Sequence, residues 1–305
     1  MNRRRLCHPF QILSILALSA VVGCGGGTGA TGFAARDSAG IRVVENGTPA
    51  TGVRAWHVSS DPEVDIGVLE GAPEYQLFRV FSAVRLSNGH IVVANSGTRE
   101  LRFYDTAGRY LRSAGRQGDG PGEFRSLGRI LRLAGDTLVV YDSNLRRLTW
   151  FSEDGALLRS AAVGGGDAGT IPIVSGAFGD GSMLASAAVV FRPGANPHGV
   201  SRDSTRYFRL AADGTLSDTL GSFLTAERYV GGDEQVFYVT SLPFGLTPAS
   251  ATADDGFYYG TGRDPEVGAY DAAGRLTRLV RWGEPGRPVT KHDVDAEKAH
   301  QLAEA

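Results

Sequence analysis

The chain has 305 residues, a 42% hydrophobic fraction and a formal net charge of −2. That is enough apolar material for one large domain or two smaller ones, and the near-neutral charge argues against nucleic acid as a general partner. The two cysteines are Cys7 and Cys24, so no disulfide framework or cysteine metal centre holds the body of the chain.

Arg3, Arg4 and Arg5 form a basic start, and Ile12 to Val22 is an apolar run too short to span a bilayer comfortably. The run ends in Val21-Val22-Gly23-Cys24. These features together resemble a bacterial lipoprotein signal. The resemblance implies a signal peptide over residues 1–23, cleavage before Cys24 and acylation of its thiol. Residues 24–36 are glycine-rich and are predicted to be a flexible tether to a membrane in the extracytoplasmic space, and Gly25 after the cysteine, by resemblance to enteric lipoproteins, implies the outer membrane.

Asp37 to Gly40 followed by Ile41 to Val44 predicts a turn and a strand. Short strands are expected over 54–58 and 64–68. From Val84 the chain repeats itself. Residues 84–113 align without a gap to 131–160, at a constant offset that carries Arg85 to Arg132 and Ser113 to Ser160. Each copy predicts four strands, near 82–87, 90–95, 100–105 and 109–114 in the first. Leu101 and Phe103 alternate with Arg102 and Tyr104, and Asn88-Gly89 is a hairpin signal. A glycine-rich segment from Gly115 to Phe124 joins the copies.

A divergent third copy carries its hairpins at Phe178 to Ser186 and Tyr207 to Gly214, with an insertion around Arg192 to Gly199 between its second and third strands. A fourth runs from Ala253 to Trp282, after a long connection, 222–248, with room for strands of its own. Thr290 to Asp293 reads as a capping box with Asp in place of Glu or Gln, opening a helical tail over 290–305. Several short strands per copy at this period are the pattern of β-propeller blades, placed here over 37–289.

Val93 to Gly108 and Val140 to Phe151 resemble the NHL repeat, and Gly118 to Phe124 resembles the inter-blade segment of such propellers. The whole is similar to bacterial six-bladed β-propeller lipoproteins. The resemblance implies an all-β fold of four-stranded antiparallel blades. In those proteins a helix like 290–305 precedes a last blade, so the ring is expected to lack part of its closing blade.

Up-and-down topology puts the loops between strands two and three on one rim with the inter-blade loops. That rim would carry Asn95, Arg99, Asp142, Arg146, Arg147, the 192–199 insertion with His198, Arg263 and Asp264. Arg99, Arg146, Arg147, His198, Arg263 and Asp264 are the candidate binding residues, since arginine forks suit carboxylates and phosphates. Asn95, Asp142, Arg99 and Arg146 recur between copies, which also fits a purely architectural role in each blade's turn. The remaining histidines show no metal-ligand spacing. The expected function is therefore non-catalytic binding of a small ligand, glycan or envelope protein, with no cofactor. The alternative is a lyase or hydrolase with a divalent metal in the propeller channel.

Overall fold

The computed structural model describes residues 32–47, 57–164, 171–188, 198–232, 236–283 and 287–304. The signal, Cys24, residues 54–56 and most of the 192–199 insertion lie outside the described residues.

The strands come in chain order. β1 (Phe33–Ser38) and β2 (Ile41–Asn46) form an N-terminal hairpin. β3 (Val80–Arg85), β4 (Ile91–Asn95), β5 (Glu100–Tyr104) and β6 (Tyr110–Ala114) form the first blade. β7 (Arg116–Gln117) and β8 (Glu123–Phe124) pair within the glycine-rich segment. β9 (Ile130–Arg132), β10 (Leu138–Asp142), β11 (Arg147–Phe151) and β12 (Leu157–Ala162) form the second blade.

Next come β13 (Pro172–Ala177), β14 (Met183–Ala187), β15 (Gly199–Ser201), β16 (Ser204–Leu210) and β17 (Leu216–Leu224). The long connection then supplies the strands expected of it, β18 (Arg228–Gly232) and β19 (Phe237–Ser241). β20 (Ala249–Ala253), β21 (Gly256–Gly260), β22 (Glu266–Asp271) and β23 (Leu276–Trp282) make the fourth blade, and α1 (Lys291–Glu304) closes the description.

Each blade is a four-stranded antiparallel sheet: β3-β4-β5-β6, β9-β10-β11-β12, β13-β14-β16-β17 and β20 to β23. The innermost strands pack in the order β3, β9, β13, β20 around a common axis. This is the propeller architecture that the repeat predicts. Among the described residues β20 and β3 do not pack comparably, so the four blades form an arc.

Three apolar layers separate the blades. The first sets Val92, Leu101 and Phe103 against Phe124, Ile130 and Leu138. The second joins Val139, Leu148 and Trp150 to Met183, Phe208 and Leu210. The third is aromatic, with Tyr207 and Phe223 against Phe257 and Tyr259. Strand alternation explains it: Val140 faces the first blade and Val139 the third, so both faces of the second blade are apolar. Burying a side chain such as Phe103 contributes about 2–3 kcal/mol. β13 and β20 approach so closely that a Cβ on Gly176 would lie 2.4 Å from the Thr252 hydroxyl, which requires glycine there.

The turns repeat atom for atom. Asp105 Oδ1 accepts from the amides of Ala107 and Arg109, and Asp271 does the same for Ala273 and Arg275. Gly108 and Gly274 follow at φ 80° and 79°, as such turns demand. The capping box also forms: Asp293 Oδ2 accepts from the Thr290 amide at 2.8 Å, and Thr290 Oγ1 accepts from the Asp293 amide at 3.3 Å. These bonds, the Thr290 hydroxyl first, hold the Asp293 carboxyl down to about 2.

Two expectations change. The tether was expected to reach residue 36, but β1 begins at Phe33. Residues 64–68 are not a strand. The stretch around them covers the far face of the first blade instead. Arg102, buried in that face, donates to the carbonyls of Pro73 and Gln76, and the Tyr104 hydroxyl donates to Glu74 O. β2 pairs in parallel with β23 at the outer edge of the fourth blade. The N-terminal hairpin thus extends that blade to six strands.

The corner at Asp142 tests this architecture. Its carboxylate, fully buried, accepts from the amides of Arg125, Ser126, Asn144 and Leu145. Asp142→Ala should lower stability by about 3 kcal/mol, because it strands buried donors. Asp142→Asn, which keeps one oxygen, should cost less than half of that in urea denaturation.

Candidate functional site

The rim assignment places the β4–β5, β10–β11 and inter-blade loops together at one end of the arc. Asn95 and Asp142 end β4 and β10, and both are fully buried. Asn95 Oδ1 accepts from the Phe78 amide at 2.7 Å, and its Nδ2 donates to Thr98 Oγ1 at 2.9 Å. Both side chains therefore serve their corners, as their recurrence allows.

The guanidiniums of Arg99 and Arg147 are engaged by backbone carbonyls. The Arg99 guanidinium donates to Arg125 O at 3.1 Å, Ser96 O at 2.7 Å and Gly97 O at 3.2 Å. The Arg147 guanidinium donates to Asp119 O, Gly120 O and Glu123 O at 2.7, 2.9 and 2.6 Å. Arg99 ties its own corner to Arg125, and Arg147 clamps the glycine-rich segment, whose interior is filled by Glu123. That carboxylate accepts from the Gly120 amide at 2.8 Å and from Arg116 Nε at 2.7 Å.

Arg146 differs. It occupies the same turn position as Arg99, with a positive φ of 49° against 64°. Its half-buried side chain forms no hydrogen bond or ion pair among the described residues. His198, Arg263 and Asp264 are exposed. The Arg263 amide donates to Thr261 Oγ1 at 3.2 Å, and Asp264 O accepts from the Glu266 amide at 2.7 Å. These three lie over the third and fourth blades, away from Arg146.

A cavity of about 180 Å³ opens at the axial end of the first three blades. Phe81, Ser126, Arg129, Tyr141, Ser143 and Ile173 line it. Phe81 and Ile173, from the inner strands β3 and β13, are 61% and 53% exposed. Arg129 precedes β9; it is exposed and forms no ion pair among the described residues. Tyr141 is 8% exposed, and its hydroxyl is buried with no hydrogen-bond partner among the described residues. Burial pushes this phenol up to about 12, and the nearby Arg146 guanidinium opposes the shift.

Sequence reasoning missed Tyr141 and Arg129. Both break the repeat: Tyr141 aligns with Ala94, and Arg129 with Ser82. That departure was the available signal. Among the described residues no three His, Cys, Asp or Glu side chains gather as a metal site would need.

Residues 70–161, from the covering segment through most of the second blade, match the family described as a 6-bladed beta-propeller. No curated protein matches the chain. Among solved structures, a Bacteroides fragilis protein described as a candidate exported protein is similar over 78% of this chain and 60% of its own, at 12% identity and a TM-score of 0.45. This chain therefore spans about 60% of the length of that protein. A streptogramin B lyase is similar over 68% of this chain and 70% of its own, at 10% identity and a TM-score of 0.35. For virginiamycin B lyase from Staphylococcus aureus the shares are 68% and 71%, the identity 9% and the TM-score 0.34.

Tyr141→Phe separates a structural hydroxyl from a binding one. Removing an unpaired buried polar atom should leave stability unchanged or raise it by about 0.5–1 kcal/mol. The phenol's raised folded-state value means that its neutral form is the one the fold accommodates. Its contribution is complete below pH 10 and is lost as pH rises through about 12. The variant should therefore show a shallower loss of stability across that alkaline window in pH-dependent melts.

Proposed function

We propose that this protein is a lipid-anchored extracytoplasmic β-propeller that binds a small anionic ligand at the mouth of its channel, without catalysis. One observation carries the reading. Tyr141, whose buried hydroxyl has no partner among the described residues, lines a cavity that also presents Arg129, and Arg146 lies close enough to act on the same phenol. Buried polar groups are nearly always paired, so such an atom suits a ligand acceptor. Two guanidiniums without side-chain partners among the described residues favour a carboxylate or phosphate. Ser126 and Ser143 add donors, while Phe81 and Ile173 offer apolar walls.

The anchor rests on the sequence from Arg3 to Cys24. Acylation there would hold the domain at a membrane in the cell envelope, through the glycine-rich stretch that follows. The NHL-like pattern of the first two blades is consistent with a binding module rather than with any one chemistry.

Thermal-shift titration with inorganic phosphate and a set of small mono- and dicarboxylates tests the mouth. At least one should raise the melting temperature of the wild type, and Arg129→Gln combined with Arg146→Gln should abolish that shift. A flat response across the set, or an unchanged shift in the double variant, contradicts the reading. For the anchor, Cys24→Ala should move the protein from the membrane fraction to the soluble envelope fraction, with loss of radiolabelled palmitate incorporation.

A further inference from the structure

A second cavity, of about 450 Å³, lies on the same rim beneath an inserted sheet. The sheet is built from two separate loops of that rim. β15 comes from the connection between β14 and β16, while β18 and β19 come from the connection between β17 and β20. They pair antiparallel in the order β15-β18-β19. Alternation gives the sheet two faces of opposite character. Tyr229 and Tyr238 stack on the outward face, with ring centroids 6.2 Å apart. Val230 is fully buried on the other face, and the cavity-lining Arg228 and Val239 share that face with it.

We propose that this cavity binds a carboxylate carried on a hydrocarbon body, with Arg228 taking the carboxylate. Its walls are apolar where they meet the blade: Ile173, Ala187, Leu224 and Pro248 line it with Val239. The volume falls within the range of small-molecule pockets, and a mostly apolar lining with few polar groups is their usual composition. Among the described residues Arg228 is the one charged side chain in the lining, and no carboxylate lines the cavity.

The threonine hydroxyls of the wall are already engaged. Thr205 Oγ1 donates to Ala187 O at 2.5 Å, and Thr225 Oγ1 donates to Asp203 O at 3.0 Å. The Arg228 side chain, by contrast, forms no hydrogen bond or ion pair among the described residues, although it is half-buried. A half-buried guanidinium without a counterion is costly beside an apolar wall, and an anion removes that cost.

A second guanidinium reinforces the field. Arg202 Nε donates to Thr225 O at 2.9 Å, which ties it to the cavity wall, and its Nη2 donates to Thr261 O. Its Nη1 is buried with no partner among the described residues. The wall therefore carries unneutralised positive charge beside an apolar lining. That combination selects an anionic head with an apolar tail over a sugar, an amine or a bare anion. Ile173 separates this cavity from the channel mouth and lines both, so the two sites are adjacent but chemically distinct.

Isothermal titration with octanoate, octanol and octylammonium tests the proposal on the full folded domain. Octanoate should bind, with octanol at least tenfold weaker and octylammonium undetectable. Arg228→Gln should lower octanoate affinity at least tenfold, towards the octanol value, while its melting temperature stays near that of the wild type. Arg228→Lys should recover part of the loss. Absence of octanoate binding by the wild type overturns the proposal, as does equal affinity for octanol. Undiminished binding by Arg228→Gln overturns it too. Val239→Phe, which fills the cavity without touching the charge, keeps the test decisive if Arg228→Gln folds poorly: octanoate binding should fall at least tenfold, and unchanged binding overturns the proposal.

Discussion

The arrangement depends on two buried acceptors at equivalent corners, Asn95 and Asp142. Each ends the second strand of its blade and takes the amide of the residue that starts the neighbouring rim segment, Phe78 in one case and Arg125 in the other. A carboxylate receiving four backbone amides is a fixed post in a low-dielectric setting, where an unmade bond is expensive. Because Asp142 holds Arg125 and Ser126, the chain leaving them enters β9 in a set register, and Arg129 arrives at the axis. Because Asn95 holds Phe78, β3 begins with Phe81 at the same end. The mouth follows from corners that never touch a ligand.

The apolar layers distribute rigidity unevenly around the arc. Between the first two blades the packing is mostly aliphatic, with Phe124 and Phe151 at 6.0 Å. Between the third and fourth it is a web of rings, Phe223 lying 4.7 Å from Tyr207, 4.8 Å from Tyr259 and 5.2 Å from Tyr270. Edge-to-face and tilted ring contacts add geometric preference to area burial, which aliphatic contacts lack. The Tyr259 hydroxyl donates to Leu224 O at 2.6 Å, so the aromatic layer also fixes the end of β17. That is the point from which the chain leaves to build β18 and β19. The inserted sheet thus rests on the most directional packing in the molecule.

The fold was legible because it is written by repetition. The offset that carries Arg85 to Arg132 locates the first eight blade strands to within a few residues, since period-two alternation and Asn-Gly or Asp-x-x-Gly turns are local signals. The outward-edge pairing of β2 with β23 was not legible in that detail, because parallel pairing between distant segments leaves no local trace. Residues 64–68 looked like a strand by composition, yet their apolar residues cover a blade face. Gly108 receives Val64 and Ile66 side chains within about 3 Å of where its Cβ would stand. Propensity recorded burial correctly and misnamed its form.

The binding residues were harder for a physical reason that separates the arginines into two kinds. Those at repeated rim positions are drawn to backbone carbonyls, because every blade corner exposes carbonyls at similar places. Arg99 shows the outcome, and Arg147 reaches the same outcome from a position where the first blade has Glu100. Arg146 sits where Arg99 does but, among the described residues, lacks the equivalent clamp. Arg129 and Arg228 occupy places with no arginine in the other copies, so no corner geometry is ready to absorb them. A cation is wired into the scaffold where a corner offers it carbonyls, as at Arg99 and Arg147, and is left to meet something else where none among the described residues is in reach, as at Arg129 and Arg228.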